Sequence, residues 1–449
     1  MRSRSAPCLL AVALCACSGG LTPRDDASVS LDAANPSDAA IPSDASDAGP
    51  PPLGRPRYLD DRSVSPLTDD LAAHLRAIAA RDPGAAEDVL AKVGDSITVN
   101  TSYLACFAGT AFDLAGRDAL APTVALFAMG DAGGVSPFRR VSLAAEVGWS
   151  ASAALAGSPP PVEQELDAIH PRYATLMYGT NDSGGRTVSA YAEDMLDLTD
   201  LMIARGVVPI LSSIPPRDDS ASADLRVPVF NLVVRGIAEG RGVPFVDLHR
   251  ELAALPDHGL GPDGVHPTTC RVEGAYRGCV LTAPCLSAGF NVRNLLTITA
   301  LDRARRALEG EAAPDLDVPR HAGSGTHDDP YLIASLPFTD LRDTRDGAPR
   351  IDRYDGCMAE QDESGPELVY SLSISEPTHL HAWVLDRGDV DIDLHVLRAP
   401  GTSADCIARA HEELELDLAP GEYVVVLDSW TDASSVPRAG EVLFLARAE

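Results

Sequence analysis

Hydrolysis of an ester by a serine needs a base to take the hydroxyl proton and an acid to orient that base. The sequence offers one such set. Ser96 lies in Val93-Gly94-Asp95-Ser96-Ile97-Thr98, directly after the apolar run Val89–Val93. Imidazole accepts a proton near neutral pH, and His266 supplies one in Asp263-Gly264-Val265-His266-Pro267. Asp263 precedes it by three residues, so one tight turn can bring the carboxylate to the imidazole Nδ1–H. Asn181, in Gly179-Thr180-Asn181-Asp182, adds a side-chain amide, and Gly148, in Glu146-Val147-Gly148-Trp149-Ser150, a backbone N–H unscreened by a Cβ. Taken singly, each stretch also reads as a plain turn, because Gly, Asp, Asn and Ser are the commonest turn formers. Asp182 with Asp263 admits a second chemistry, a carboxylate pair for glycoside hydrolysis. That reading leaves Ser96 and Asn181 without a task.

These side chains are far apart in sequence, so regular elements must bring them together. Leu67, Leu71, Leu75 and Ile78 recur at helical spacing, with Ser65-Pro66 as the expected start. The strand Val89–Val93 follows. Tyr173–Tyr178 and Val207–Ile214 are near-continuous apolar strands, and Val243–Leu248 is a further one. Tyr191–Ala204, Val229–Ile237 and Phe290–Leu308 carry helical patterning. Such alternation implies a parallel sheet covered on both faces, and the C-terminal ends of its strands are where open α/β sheets bind ligands. From residue 331 the texture changes. Leu368–Ile374, His379–Val384, Val390–Val396 and Tyr423–Leu427 are short strands parted by turn residues, which predicts an antiparallel β-sandwich. Asp389, Asp391 and Asp393 would project from one face of a strand. No EF-hand glycine follows them, and they read as a solvated acidic face rather than a Ca²⁺ site.

The four blocks around Ser96, Gly148, Asn181 and Asp263–His266, in that order, resemble the signature of the SGNH hydrolases, the GDSL esterase/lipase superfamily. The resemblance covers about residues 86–309. It implies a flavodoxin-like three-layer fold and a Ser96–His266–Asp263 triad. It also implies an oxyanion hole made of the Ser96 and Gly148 N–H groups and the Asn181 amide, with no metal and no cofactor. One departure is the insertion Thr268–Gly289, which carries Cys270, Cys279 and Cys285 beside His266. A disulfide from Cys106 to this insertion would brace the site. In the C-terminal module, Gly365–Tyr370 and Asp391–Leu394 resemble bacterial pre-peptidase C-terminal domains.

Export is expected from the N-terminus. Residues 1–17 have a basic start and a short apolar stretch, too short to span a bilayer. Leu14-Cys15-Ala16-Cys17 resembles a lipobox with Cys17 lipidated, and Ser18 after it resembles outer-membrane sorting in Gram-negative bacteria. An ordinary cleaved signal peptide is the alternative. Residues 18–57 are rich in Asp, Ala, Ser and Pro and read as a disordered tether. The expected order is therefore signal 1–17, tether 18–57, hydrolase 58–309, linker 310–330 and sandwich 331–449. The remaining six cysteines suit disulfides in an exported chain, with Cys357–Cys406 inside the last module. The net charge is −30, and 26 acidic against 10 basic residues lie from Arg320 on. Such a surface repels phosphate backbones and argues against nucleic acid. The expectation is a surface-anchored or secreted serine esterase acting on acylated carbohydrate or another small acyl ester. The alternative is a catalytically silent adhesion protein that keeps the domain as a scaffold.

Overall fold

The computed structural model describes residues 54–449. Cys17, the export signal and residues 18–53 of the expected tether lie outside the described residues; residues 54–57 are not part of a disordered tether, because Pro56 bridges to Arg320 and the buried Arg57 donates its N–H to the Pro319 carbonyl at 2.8 Å. Four parallel strands form the first sheet in the order β1 (Ala86–Gly94), β2 (Pro171–Met177), β3 (Val208–Ser212) and β4 (Phe245–Val246). Every residue of β2 is buried, as expected for a strand covered on both faces. The helices Asp69–Ala79, Ala121–Met129 and Gly289–Glu309 pack together and against the sheet, and Val188–Ala204 and Val227–Arg241 do likewise. This is the expected three-layer α/β arrangement. Two details differ from the sequence reading. The first helix starts at Asp69, because Thr68, rather than Ser65-Pro66, caps it by accepting from the Leu71 N–H. The strand expected over Val243–Leu248 shrinks to two residues, since Asp247 caps the helix Leu248–Ala253.

The insertion after His266 contains a small hairpin, β5 (Arg271–Val272) and β6 (Ala275–Tyr276). The C-terminal part is two facing sheets. One has the order β13 (Glu413–Leu418), β10 (Thr378–Asp386), β15 (Glu441–Ala448), β8 (Phe338–Asp343). The other has the order β12 (Cys406–Ala410), β11 (Ile392–Arg398), β14 (Gly421–Ser429), β9 (Glu367–Ile374), β7 (Tyr331–Ile333). Their inner faces share an apolar core that includes Leu372, Val384, Leu394, Val425 and Phe444. The triad of aspartates behaves differently from expectation. β11 begins at Ile392, so Asp389 stands outside the strand, exposed, and the Asp393 side chain is only 5% exposed. It is a buried group, not part of a solvated face.

Leu341, Trp383, Leu385, Leu443 and Leu445 of the sandwich belong to the same buried cluster as the α/β core. The helix Val227–Arg241 meets them through glycines: a Cβ on Gly240 would come 2.4 Å from Leu341 Cβ, and one on Gly236 would come 2.7 Å from Leu443 Cδ1. Around this contact Arg241 pairs with Asp200 at 2.6 Å and with Glu441 at 2.5 Å. Residues 310–330 carry no helix, but they are pinned along their length. Asp315 accepts from the Leu67 N–H at 2.8 Å, Arg320 pairs with Asp70 at 2.8 Å, and the buried His321 bonds Glu239 at 2.8 Å. Gly240→Ala is therefore expected to destabilise the protein by about 1–3 kcal/mol through overpacking, against a helix-propensity gain of about 1 kcal/mol. Urea unfolding midpoints of parent and variant measure the difference.

Candidate active site

The turn after β1 owes its shape to a close approach. A Cβ on Gly94 would fall 2.3 Å from Thr98 Oγ1 and 2.6 Å from the Met177 carbonyl oxygen, so only glycine fits there. Asp95 then caps the short helix Ser96–Val99 by accepting from the Ile97 N–H at 3.0 Å. Asp95 is fully buried, and burial raises its pKa above the ordinary range. Ser96 is the first residue of this helix, half-buried, and its N–H has no intrahelical acceptor.

Ser96 Oγ lies 2.8 Å from His266 Nε2. On the other side of the ring, Nδ1 lies 2.7 Å from Asp263 Oδ2. The second oxygen of Asp263 accepts from the His266 N–H at 3.0 Å and the Val265 N–H at 3.1 Å. Burial opposes ionisation of Asp263, but these backbone N–H groups and the imidazole outweigh it and hold the carboxyl below its ordinary value. The acid is thus ionised and bonded to the ring nitrogen that must stay protonated for Nε2 to act as base. The loop carrying both residues is set by Gly264, at φ +67°, where a Cβ would meet the Asp219 nitrogen at 2.6 Å. Asp218 donates its N–H to the Gly264 carbonyl at 2.9 Å. Arg217 pairs with Asp219 at 2.7 Å and also donates to the Thr180 carbonyl, joining this loop to the one that bears Asn181.

Residues 144–149 come to the same end of the sheet by pairing with β1: Ala145 bridges to Gly94, and Glu146 donates its N–H to the Gly94 carbonyl at 3.3 Å. Gly148 has φ +82°, with open space where a Cβ would be. Asn181 Nδ2 donates to the Trp149 carbonyl at 2.8 Å. All five sequence-derived residues therefore lie at the C-terminal end of the parallel sheet, Ser96 opening a short helix and the others on loops, in two contacting groups: Ser96 with His266 and Asp263, and Asn181 with the 148–149 turn. Asp182 accepts from the Ala151 N–H at 3.2 and 3.4 Å and so holds a loop. That is the structural use expected for it rather than membership of a carboxylate pair.

Sequence reasoning missed the polar residues that open the final helix. Arg293 is fully buried and donates to the Ile97 carbonyl at 2.7 Å and to Thr98 Oγ1 at 2.9 Å, with its guanidinium 3.7 Å from the Tyr103 ring centre. Asn294 accepts from the Leu104 N–H and donates to the Ser102 and Gly278 carbonyls. Asn291 accepts from the Cys270 N–H and donates to the Arg277 and Val280 carbonyls. Three polar side chains within four positions of a buried helix were the available signal. The disulfides Cys106–Cys279 and Cys270–Cys285 tie the same segments, and Cys357–Cys406 lies within the sandwich. The expected bridge from Cys106 to the insertion is present.

The model of the GDSL-like lipase/acylhydrolase family matches residues 92–269. No curated protein matches the sequence. Among solved structures, the chain is similar to a GDSL-like lipase from Bacteroides thetaiotaomicron, at 14% identity over 52% of this chain and 99% of that one, with a TM-score of 0.30. It is similar to a catalytic mutant of an acetylxylan esterase from Geobacillus stearothermophilus, at 17% identity over 49% and 94% of the two chains, with a TM-score of 0.32. A third similarity is to the pre-peptidase C-terminal domain of a collagenase from Bacillus anthracis, at 12% identity over 25% and 90%, with a TM-score of 0.17.

Burial pushes the Asp182 carboxyl up to about 6. The folded state thus favours its protonated form, so this group's stabilising contribution is complete below the ordinary Asp range and is lost as pH rises through about 6. Asp182→Asn keeps the acceptor for Ala151 and removes the titration. It is expected to be more stable than the parent above pH 6, by roughly 1–3 kcal/mol, and to match it near pH 3.5. Urea midpoints across that range test the sign.

Proposed function

We propose that this protein, whose residues 92–269 match the model of the GDSL-like lipase/acylhydrolase family, is a carboxylic ester hydrolase with Ser96 as its nucleophile, His266 as base and Asp263 as orienting acid. The observation that carries this reading is the hydrogen-bonded run from Ser96 Oγ through the His266 ring to Asp263. In the first half-reaction Ser96 Oγ attacks the acyl carbonyl while His266 Nε2 takes the hydroxyl proton. Asp263 stabilises the imidazolium without itself being protonated. The negative oxygen of the tetrahedral intermediate is received by the N–H groups of Ser96 and Gly148 and the Asn181 amide. His266 returns the proton to the leaving alcohol. Water, activated by the same imidazole, then hydrolyses the acyl-enzyme.

The substrate we infer is a small acyl group on a neutral carbohydrate. Two features support it. The His266 and Asp263 side chains are 38% and 54% exposed, so the reacting centre lies on an open surface that a polymer can reach. The trough beside them is lined by Asp218, Asp219, Asp257 and Asp263, and these carboxylates repel phosphate or uronate groups. The N-terminal sequence supports surface attachment through a lipid on Cys17, with residues 18–53 as a tether.

Ser96→Ala should lower kcat on p-nitrophenyl acetate by on the order of 10⁴-fold or more, and Asn181→Ala by about 10²–10³-fold, with unfolding midpoints unchanged. Full activity in Ser96→Ala would overturn the assignment of Ser96 as nucleophile, and an inactive parent that no fluorophosphonate probe labels would favour the adhesion scaffold instead. Acetylated xylan should be deacetylated faster than an acetylated polyuronate, measured as acetate released. Cys17→Ser should move the protein from the detergent phase to the aqueous phase in a Triton X-114 partition of expressing cells.

A further inference from the structure

Residues two apart on a strand point to one face, and Thr378-His379-Leu380-His381 sets two imidazoles side by side on β10. On the edge strand β13, Glu413, Glu415 and Asp417 share a face in the same way. The register puts Glu415 opposite His381 and Asp417 opposite His379. Trp383 and Leu385, later in the histidine row, are buried in the contact with the α/β core. The row thus runs out from that contact into a pair of imidazoles faced by three carboxylates.

Both imidazoles are held in the same way. The His381 side chain is 10% exposed, and its ring stacks on Trp383 with centres 3.7 Å apart. Nδ1 lies 2.9 Å from Glu449 Oε1. That oxygen also accepts from Arg447 Nε at 2.9 Å, so Glu449 is an acceptor and Nδ1 the donor. Nε2 is the nitrogen turned towards β13, 2.8 Å from Glu413 Oε1 and 3.7 Å from Glu415 Oε1. In His379, Nδ1 lies 2.7 Å from Asp417 Oδ1 and Nε2 3.9 Å from Glu415 Oε2. A carboxylate on one ring nitrogen, with the other nitrogen aimed at a shared point, is how metal-binding histidines are oriented.

Ligand atoms of His381, Glu413 and Glu415 all lie within 4.8 Å of one another. Neither glutamate pairs with an arginine among the described residues. A proton on His381 Nε2 serves Glu413 alone, because 3.7 Å is beyond hydrogen-bond length. A divalent ion serves all three groups. Zn²⁺ holds nitrogen and oxygen at about 2.0–2.2 Å, which sets neighbouring donors about 3.3–3.6 Å apart at tetrahedral angles. The distances of 2.8 and 3.7 Å straddle that spacing. An imidazole among the donors favours Zn²⁺ over Ca²⁺, which takes oxygens. We propose that His381, Glu413 and Glu415 bind Zn²⁺ on the outer face of the sandwich, with His379 beside the second oxygen of Glu415 and water completing the shell. The ion would clamp the edge strand β13 to β10 and offset the repulsion among its carboxylates.

The test uses the full chain, stripped with dipicolinate and titrated calorimetrically with Zn²⁺ and, separately, Ca²⁺. One equivalent of Zn²⁺ should bind and raise the unfolding midpoint. His381→Gln and Glu415→Gln should each weaken that binding at least about tenfold, and Glu376→Gln, an exposed carboxylate outside the cluster, should leave it unchanged. A second measurement needs no variant: Zn²⁺ should protect His381 of the parent from diethylpyrocarbonate, read by peptide mass. No saturable Zn²⁺ binding, Ca²⁺ bound as tightly as Zn²⁺, full affinity in folded His381→Gln or Glu415→Gln, equal loss in Glu376→Gln, or His381 left unprotected would overturn the proposal and leave the cluster as a set of ion pairs.

Discussion

A buried guanidinium holds the turn that presents Ser96. Arg293 cannot shed its charge, and its position is fully enclosed, so the surrounding groups must satisfy it. They do so with the Ile97 carbonyl and Thr98 hydroxyl, both in the short helix that Ser96 begins, and with the face of Tyr103. The nucleophile's backbone is therefore anchored from the far end of the chain's α/β part, through the last helix. Asn294 and Asn291, next to Arg293, extend the same anchoring to residues 102–104 and to the insertion after His266. Removing any of these partners would leave a buried donor or acceptor unmade, which costs more than the bond itself contributes.

Two covalent links reinforce this arrangement. Cys106–Cys279 joins the segment after Ser96 to the insertion, and Cys270–Cys285 closes the insertion on itself. The wall next to His266 is thus built from a braced segment rather than a free loop. On the opposite side, Arg217 and Asp219 couple the Asp263 turn to the Asn181 loop. The parallel sheet supplies the common edge, and polar contacts set the spacing between loops.

The sandwich shares a core with the helix Val227–Arg241, where Gly236 and Gly240 let β8 and β15 approach. Trp383 and Leu443 are as buried as residues of the α/β core. Glu239, Arg241, Asp200 and Arg387 surround that contact with paired charges. Such pairs leave the acidic surplus itself intact, since 66 acidic residues face 36 basic ones, but part of it is folded inward, as at Glu363 and Asp393. A charge count cannot distinguish an exposed carboxylate from an enclosed one.

Local chemistry was legible in the sequence. Apolar runs mark β1, β2 and β3 because a strand covered on both faces must be apolar throughout. Asp263 and His266 are three residues apart, so their contact is a local matter, and so is the capping by Asp95. Glycine at position 94 also announces its own constraint. The start of the first helix and the length of β4 were misread, because capping by Thr68 and Asp247 competes with hydrophobic pattern at element ends. What only the tertiary structure decided are contacts between segments far apart in the chain. They include Arg293 on Ile97, Cys106 with Cys279, the glycine face of Val227–Arg241 against β15, and the enclosure of Asp393 and His395 beneath the segment that carries Tyr354 and Cys357. Period-two alternation puts Asp393 on one side of β11 but does not say what covers that side. Burial depends on which distant segment packs there, and that is settled by the fold as a whole.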